Sequence, residues 1–155
     1  MKKSIFFISF VLAVCFNQAV NAIPNPWVDC ETDFSCGAEK AGFSFPLKVK
    51  NYSVRAMEDL FEITFPLDKK RTVTVRKSLK YEGDNSGVYT EYPVNKSITL
   101  NDVIFNVRGK KNKFYVVNFA SESGYYSIYC KEGMKIGDIN HLYKLIQNAE
   151  TKRKN

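Results

Sequence analysis

The sequence predicts an α+β fold: an antiparallel meander sheet of about six to eight strands, with a short N-terminal helix and a C-terminal amphipathic helix covering one face. Three observations predict it. Apolar and polar residues alternate through the middle of the chain, turn residues separate the alternating segments, and apolar residues recur at helical spacing near both ends. A sheet with one apolar face needs a cover, which two helices can provide.

The first 22 residues have the features of a cleavable signal peptide. Lys2 and Lys3 give a positive start, and residues 5–16 form an apolar stretch too short to span a bilayer. Val20 and Ala22 stand at the positions that signal peptidase reads. We therefore expect cleavage after Ala22, an exported product that is periplasmic or secreted, and no transmembrane segment after cleavage.

The rest of the chain has the length and charge of one basic domain. Residues 23–150 are expected to fold as a single α+β domain, and residues 151–155 as a basic disordered tail. The formal charge of +7 (23 − 16) falls to +5 (21 − 16) when Lys2 and Lys3 leave with the signal. A basic surface favours anionic surroundings such as cell-wall polymers. No basic cluster or reading motif accompanies it, so we expect no nucleic acid partner.

Three cysteines remain after the predicted cleavage, and in an oxidising compartment two of them pair. Cys30 and Cys36 lie close in sequence around a predicted helix start, which favours that pair. The two pairings that use Cys130 stay open. Cys130 alternates in register with Tyr126 and Ile128, which indicates a buried strand thiol.

Both helices are predicted from spacing and caps. Thr32 is expected to cap a helix from Asp33 to about Ala41, and Gly42 to end it. Near the C-terminus one apolar stripe recurs at helical spacing, formed by Ile139, Leu142, Tyr143, Ile146 and Ala149. His141 falls off this stripe, so we expect it to be solvated.

The strands are predicted from two-residue alternation. Their inward rows are Val54 with Ala56, then Phe61, Ile63 and Phe65, then Val73 and Val75, then Val103, Phe105 and Val107, followed by strands 113–120 and 125–130. The four-residue turns 109–112 and 121–124 suit antiparallel hairpins.

The segment from Tyr81 to Pro93 is too long for a hairpin turn and joins strands ending near Lys77 and resuming near Ile98. It combines turn residues with tyrosines beside basic strand residues, a composition suited to a sugar, a peptide or a partner protein. The predicted binding residues are Arg76, Asp84, Ser86, Tyr89, Tyr92 and Arg108. In the alternative interpretation, the Asp and Ser side chains bond their own backbone while the two tyrosines pack onto the sheet.

An enzyme is not expected. The chain has one histidine and lacks a nucleophile elbow, a His-Glu-x-x-His motif, a phosphate loop and a Cys-x-x-Cys pair, so no cofactor or metal site is expected either. The leading hypothesis is a non-enzymatic domain that binds a cell-wall polymer or an extracytoplasmic protein. The alternatives are a secreted inhibitor of a hydrolase, and a small envelope hydrolase that uses Glu82, Asp84 or Glu91.

Several short segments occur in the order of a known family: Asn25-Pro26-Trp27, then 38–46, then 73–78, then 84–89, then 124–128. In this respect the chain resembles a family of uncharacterised bacterial exported domains, related at a distance to sensor-like regions of membrane-anchored regulators. The family pattern has a helix ending in Ala-Gly-Phe, an antiparallel sheet, an Asp-x-Ser-Gly-Asp-Tyr loop and a Gly-Met segment, here Gly133-Met134, before a closing helix. Val88 stands where that loop usually carries an acid. The resemblance implies a fold and export, and it implies no activity.

Overall fold

The computed structural model describes residues 25–151, so the predicted signal peptide and residues 152–155 lie outside the described residues. The predicted α+β class is confirmed, with an eight-stranded antiparallel sheet and two helices. In chain order the elements are β1 (Val28–Asp29), α1 (Phe34–Ala41), β2 (Ser53–Met57), β3 (Leu60–Pro66), β4 (Thr72–Ser78), β5 (Val94–Leu100), β6 (Val103–Lys110), β7 (Lys113–Ser121), β8 (Gly124–Met134) and α2 (Ile136–Thr151).

The sheet consists of two four-stranded antiparallel halves that meet in its middle. Its strand order is β1-β2-β3-β4-β8-β7-β6-β5, and β4 pairs with β8 where the two halves join. After β4 the chain does not turn back to pair with β5. It crosses β8, β7 and β6 to reach the far edge, a distance of roughly 15–20 Å at the usual strand spacing. This crossing explains why the connection 79–93 is too long for a hairpin.

The hydrophobic core lies on one face of the sheet, beneath both helices. The inward rows predicted from alternation are buried there, except that Val103 near the edge is only partly buried. The stripe of α2 is buried through Ile139, Leu142, Tyr143 and Ile146, with Ala149 partly buried. His141 is exposed, as expected.

The N-terminal helix begins one residue later than predicted. Asp33, and not Thr32, is the N-cap, because the Oδ1 of Asp33 accepts a hydrogen bond of 2.8 Å from the backbone N–H of Ser35. Gly42 ends the helix in the left-handed conformation with φ of 77°, as predicted. Gly37 faces β2 and β3, where a Cβ would lie 2.6 Å from the Phe61 ring, so only glycine allows this close packing.

The favoured cysteine pair is present in the structure. Cys30 and Cys36 form a disulfide that closes the turn into α1, with Cα atoms 5.7 Å apart. Cys130 is a buried free thiol on β8. Burial raises the pKa of this thiol.

The C-terminal helix is tied to the sheet at its first turn. Asp138 accepts a 2.8 Å hydrogen bond from the backbone N–H of Lys135, just before the helix, and forms two hydrogen bonds with the guanidinium of Arg71, at 2.6 and 3.2 Å. The helix continues through Thr151, one residue into the predicted tail. No helix within residues 25–151 is long and apolar enough to cross a bilayer.

Candidate functional site

The face of the sheet opposite the helices carries a row of polar residues that crosses it from strand to strand. Each member is directly opposite the next on the neighbouring strand, in the spatial order β2, β3, β4, β8, β7, β6 and β5. The row, called here the polar row, is formed by Arg55, Glu62, Arg76, Ser127, Asn118, Asn106 and Ser97. It lies across the strands because alternation places every second side chain on this face.

Glu62 is the acidic centre of the polar row, and its side chain is only 3% exposed. Its Oε1 accepts hydrogen bonds from Nε and Nη2 of Arg55, at 2.8 and 2.6 Å. Its Oε2 accepts a hydrogen bond of 2.7 Å from Nε of Arg76. A buried carboxylate needs such partners, and two guanidinium groups against one carboxylate leave this cluster with an excess positive charge.

Trp27 lies against both arginines. Its ring is 5.2 Å from the guanidinium carbon of Arg55 and 4.9 Å from that of Arg76. Both distances fit cation–π contacts, which hold the guanidinium groups in place. The segment before β1 thereby joins a cluster built by β2, β3 and β4.

The loop 79–93 lies over the polar row as it crosses the sheet. The backbone N–H of Asn85 donates a 3.1 Å hydrogen bond to Oγ of Ser127, and its carbonyl accepts one of 2.9 Å from Nη1 of Arg76. Further along, Tyr92 stacks on Tyr115 with ring centroids 5.0 Å apart. The loop is therefore held to β4 and β8 by hydrogen bonds and to β7 by the stacked tyrosine rings.

Arg108 of β6 fastens the same loop from the other side. Its Nη2 pairs with the carboxylate of Asp84 and donates a 2.8 Å hydrogen bond to the carbonyl of Val88. The side chains of Asp84 and Ser86 also accept hydrogen bonds from backbone N–H groups two residues ahead, at 2.9 and 3.1 Å. The alternative interpretation therefore describes these two side chains correctly, since both bond the backbone of their own loop.

The two predicted binding tyrosines behave differently. Tyr89 is 94% exposed at the outermost part of the loop, whereas Tyr92 packs against Tyr115. Tyr89 is thus presented to solvent, and Tyr92 supports the loop.

A cleft of about 460 Å³ opens between the loop and the polar row. Its floor is formed by side chains of β2, β3, β4 and β8, and its wall by loop residues 86–90. The floor residues are Arg55, Glu62, Thr64, Thr74, Arg76 and Tyr129. Gly87 has a φ of 70°, and a Cβ at this position would lie 2.6 Å from Nη1 of Arg76, so the wall approaches the floor closely here.

Of the predicted binding residues, Arg76, Ser86 and Tyr89 line the cleft. Asp84 and Arg108 hold its wall in place, and Tyr92 lies farther along the loop. Sequence reasoning missed Trp27, Arg55 and Glu62. Alternation does assign Glu62 to the polar face, and this is the signal that could have identified part of the cluster.

Some polar atoms beneath the loop have no protein partner among the described residues. They are the side-chain amide atoms of Asn85 and Nε of Arg108, all of them buried. Buried polar groups are normally satisfied, so bound water or a ligand group is expected beside them.

Comparison with protein-family models, with curated proteins and with solved structures found no match. The resemblance to exported bacterial domains therefore stays a prediction.

Proposed function

We propose that this chain is a non-enzymatic exported domain that binds an anionic component of the cell envelope in the cleft beside the loop 79–93. The observation that carries the proposal is the cluster of Arg55, Glu62 and Arg76 under Trp27. It supplies preoriented guanidinium groups in the floor of the cleft.

The cluster has donors left for a ligand. Arg55 donates hydrogen bonds from Nε and Nη2 to Glu62. Arg76 donates from Nε to Glu62 and from Nη1 to the carbonyl of Asn85 in the loop. Within residues 25–151, Nη1 of Arg55 and Nη2 of Arg76 donate no hydrogen bond, and the Arg55 side chain is 44% exposed. Guanidinium groups bind carboxylate and phosphate oxygens with two parallel bonds, so these are the ligand groups favoured.

The remaining floor residues are neutral hydrogen-bonding groups. The hydroxyls of Thr64 and Thr74 lie 2.9 Å apart on neighbouring strands. The hydroxyl of Tyr129 is protonated in neutral solution, as for any tyrosine, and burial raises its pKa further. Hydroxyl donors next to arginines suit an oxygen-rich polymer that bears acidic groups.

The experiment that tests the proposal is co-sedimentation of the protein with isolated bacterial cell walls at low and high salt. We expect retention to weaken as salt rises, because partly exposed charges are screened. Arg55→Gln should weaken binding about 10- to 100-fold, the range for a lost hydrogen bond to a charged group. Lys144→Gln is the matched control, since this exposed lysine lies on α2, on the other side of the sheet.

Retention that is unchanged by salt would overturn the electrostatic account. So would an equal loss of binding in the Arg55 and Lys144 variants, because that result would show attraction by net charge and not by the cleft.

Inhibition of a hydrolase is the second candidate, and Tyr89 favours it. A rigidly held loop that presents one almost fully exposed tyrosine resembles the anchors that dominate protein interfaces. Tyr89→Ala should then abolish capture of a protein partner from secreted extracts, whereas Lys144→Gln should leave capture unchanged. Retained capture of a partner by the Tyr89→Ala protein would rule this candidate out.

The third candidate, a small envelope hydrolase, is tested by release of soluble fragments from walls. The carboxylate of Asp84 is engaged by Arg108, and Glu82 and Glu91 lie exposed on the loop. We expect no release by the protein. Release that is lost in Asp84→Asn, Glu82→Gln or Glu91→Gln would establish hydrolysis and contradict the proposed non-enzymatic role.

A further inference from the structure

The two edge strands of the sheet differ in length, since β1 has two residues and β5 has seven. At one edge β1 pairs with β2, and the backbone N–H of Cys30 donates a 2.9 Å hydrogen bond to the carbonyl of Val54. At the other edge no described residue pairs with the outer side of β5, which is seven residues long. An open strand of this length is a template for pairing with another strand.

The turn after β5 determines which of its backbone groups face outward. Asn101 and Asp102 form a two-residue hairpin turn with φ of 50° and 62°, closed by the pair Leu100 and Val103. The closing pair of such a turn is hydrogen-bonded, and hydrogen-bonded pairs alternate along a regular ladder. The β5–β6 ladder has no register shift. The backbone N–H and C=O groups of Asn95, Ser97 and Thr99 therefore point away from β6, toward the open edge.

We propose that the protein forms a two-fold symmetric homodimer in which β5 pairs with β5 of a second copy, with Ser97 opposite Ser97. In this antiparallel register Asn95 lies opposite Thr99 of the second copy, and Thr99 opposite Asn95. Every outward-facing residue of both strands then belongs to a hydrogen-bonded pair. Registers shifted by two or four residues leave some of these groups unpaired.

The side chains of β5 fit a second copy on both faces of the sheet. On the core face, partly buried Val94 and Leu100 lie opposite each other across the two-fold axis. Lys96 is the single charged residue of β5, and the register places it opposite Ile98 and not opposite itself. On the other face, Ser97 is the last member of the polar row, and pairing with its equivalent continues that row into the second copy.

The two-fold symmetry of the proposed dimer would place both clefts on the same side of the sheet. The two-fold axis of an antiparallel pair is perpendicular to the sheet, so both polar faces lie on one side and both helical layers on the other. Two clefts facing one way would bind a repeating polymer with avidity. This consequence rests on the proposed function, whereas the dimer itself does not.

The first test is the molecular mass of the protein recovered from expressing cells, measured by sedimentation equilibrium without ligand. We expect a concentration-dependent dimer. Ser97→Pro should give a monomer, because it removes an outward N–H that β6 does not use, and proline is tolerated at edge strands in that position. Ser97→Ala keeps the N–H and is the matched control, expected to remain a dimer.

The second test is site-specific crosslinking, which also serves if the proline variant does not fold. Paired residues have Cα atoms about 5.5 Å apart, within the disulfide range of about 4.4–6.8 Å. Ser97→Cys should therefore form an intermolecular disulfide under mild oxidation. Thr99→Cys is the control, because its two copies would lie roughly 14 Å apart and should not crosslink.

A monomeric wild-type protein at all concentrations would overturn the proposed dimer. A dimer that survives Ser97→Pro in folded form would also overturn it, as would crosslinking of Thr99→Cys in preference to Ser97→Cys. Wall binding that fails in a protein that still dimerises would contradict the proposed function alone.

Discussion

At the scale of single residues, the binding account depends on where the guanidinium of Arg76 lies. It is held by Glu62 on one side and by the carbonyl of Asn85 on the other, and Trp27 lies against it. Removal or displacement of any of these neighbours is expected to act on binding more than on folding, because the cluster lies on the face away from the core.

Gly87→Ala tests the position of this guanidinium without removing a charge. A Cβ at Gly87 would lie 2.6 Å from Nη1 of Arg76, so Arg76 has to move. Gly83→Ala is the matched control, because Gly83 also has a positive φ, of 89°, but faces open space. Both variants should lose about 1–2 kcal/mol in the free energy of unfolding. Only Gly87→Ala should weaken wall binding, and equal weakening in both would contradict the assigned cleft.

Cys130 provides a residue-scale test of the fold. Its thiol is fully buried on β8 and burial raises its pKa, so little reactive thiolate is available in the folded protein. Alkylation by iodoacetamide, followed by peptide mapping, should be slow in buffer and rapid in denaturant. Rapid labelling of Cys130 in the native protein would show that this strand face is not buried.

Not all of the cluster could be predicted residue by residue. Alternation placed Glu62 and Arg76 on the outward side of their strands. It could not predict the contact of Trp27 with Arg76, because these two residues are almost fifty positions apart in the chain and meet only through the pairing of the strands. The pairing of Asp84 with Arg108 could not be predicted for the same reason, because the loop contacts β6 only where it crosses the sheet.

At the scale of elements, the interaction between Arg71 and Asp138 fastens α2 to the hairpin of β3 and β4. The hydrogen bonds from Arg71 hold the pKa of Asp138 below its usual value. A carboxyl group whose pKa is lowered on folding stabilises the protein above its unfolded pKa, and that contribution is lost as pH falls through the folded value.

Asp138→Asn tests this attachment. We expect it to lower the free energy of unfolding by about 1–3 kcal/mol at neutral pH, the range for hydrogen bonds to charged groups. The difference from wild type should shrink below about pH 4, where the unfolded carboxyl takes up its proton. Urea unfolding at both pH values measures it, with the exposed turn carboxylate Asp102→Asn as control. A difference that is independent of pH would contradict the assigned ion pair.

Strand content could be predicted from sequence far better than strand order. The alternation in residues 61–65, 73–75 and 103–107 identifies strands and their buried faces correctly. The place of β5 is not encoded in alternation, because a strand looks the same whether its neighbour is the preceding element or a distant one. The length of the connection 79–93 was the available signal, and it is explained by the crossing of three strands.

At the scale of the whole molecule, the Cys30–Cys36 disulfide is expected to contribute to stability. It closes a short loop between the sheet edge and α1. Loop-closure entropy for so short a ring gives about 2 kcal/mol. Reduction should therefore lower the melting temperature by roughly 5–10 °C for a domain of this size. Calorimetry with and without reductant measures this, and a melting temperature unaffected by verified reduction would contradict the assigned contribution.

The two faces of the sheet have different roles in the proposed binding domain. One face buries the apolar rows beneath α1 and α2, and the other carries the polar row, the loop and the cleft. Because the helices occupy only the first face, the second remains available for a ligand.

Trp27 offers the most direct measurement, because it is the single tryptophan of the sequence and it lies on the arginine cluster. Its fluorescence should be followed while solubilised anionic wall fragments are added at low salt. We predict a saturable spectral change that is reversed by salt and reduced in Arg55→Gln, with Lys144→Gln behaving as wild type. Binding seen by co-sedimentation while the Trp27 spectrum stays unchanged would contradict the assignment of the cleft.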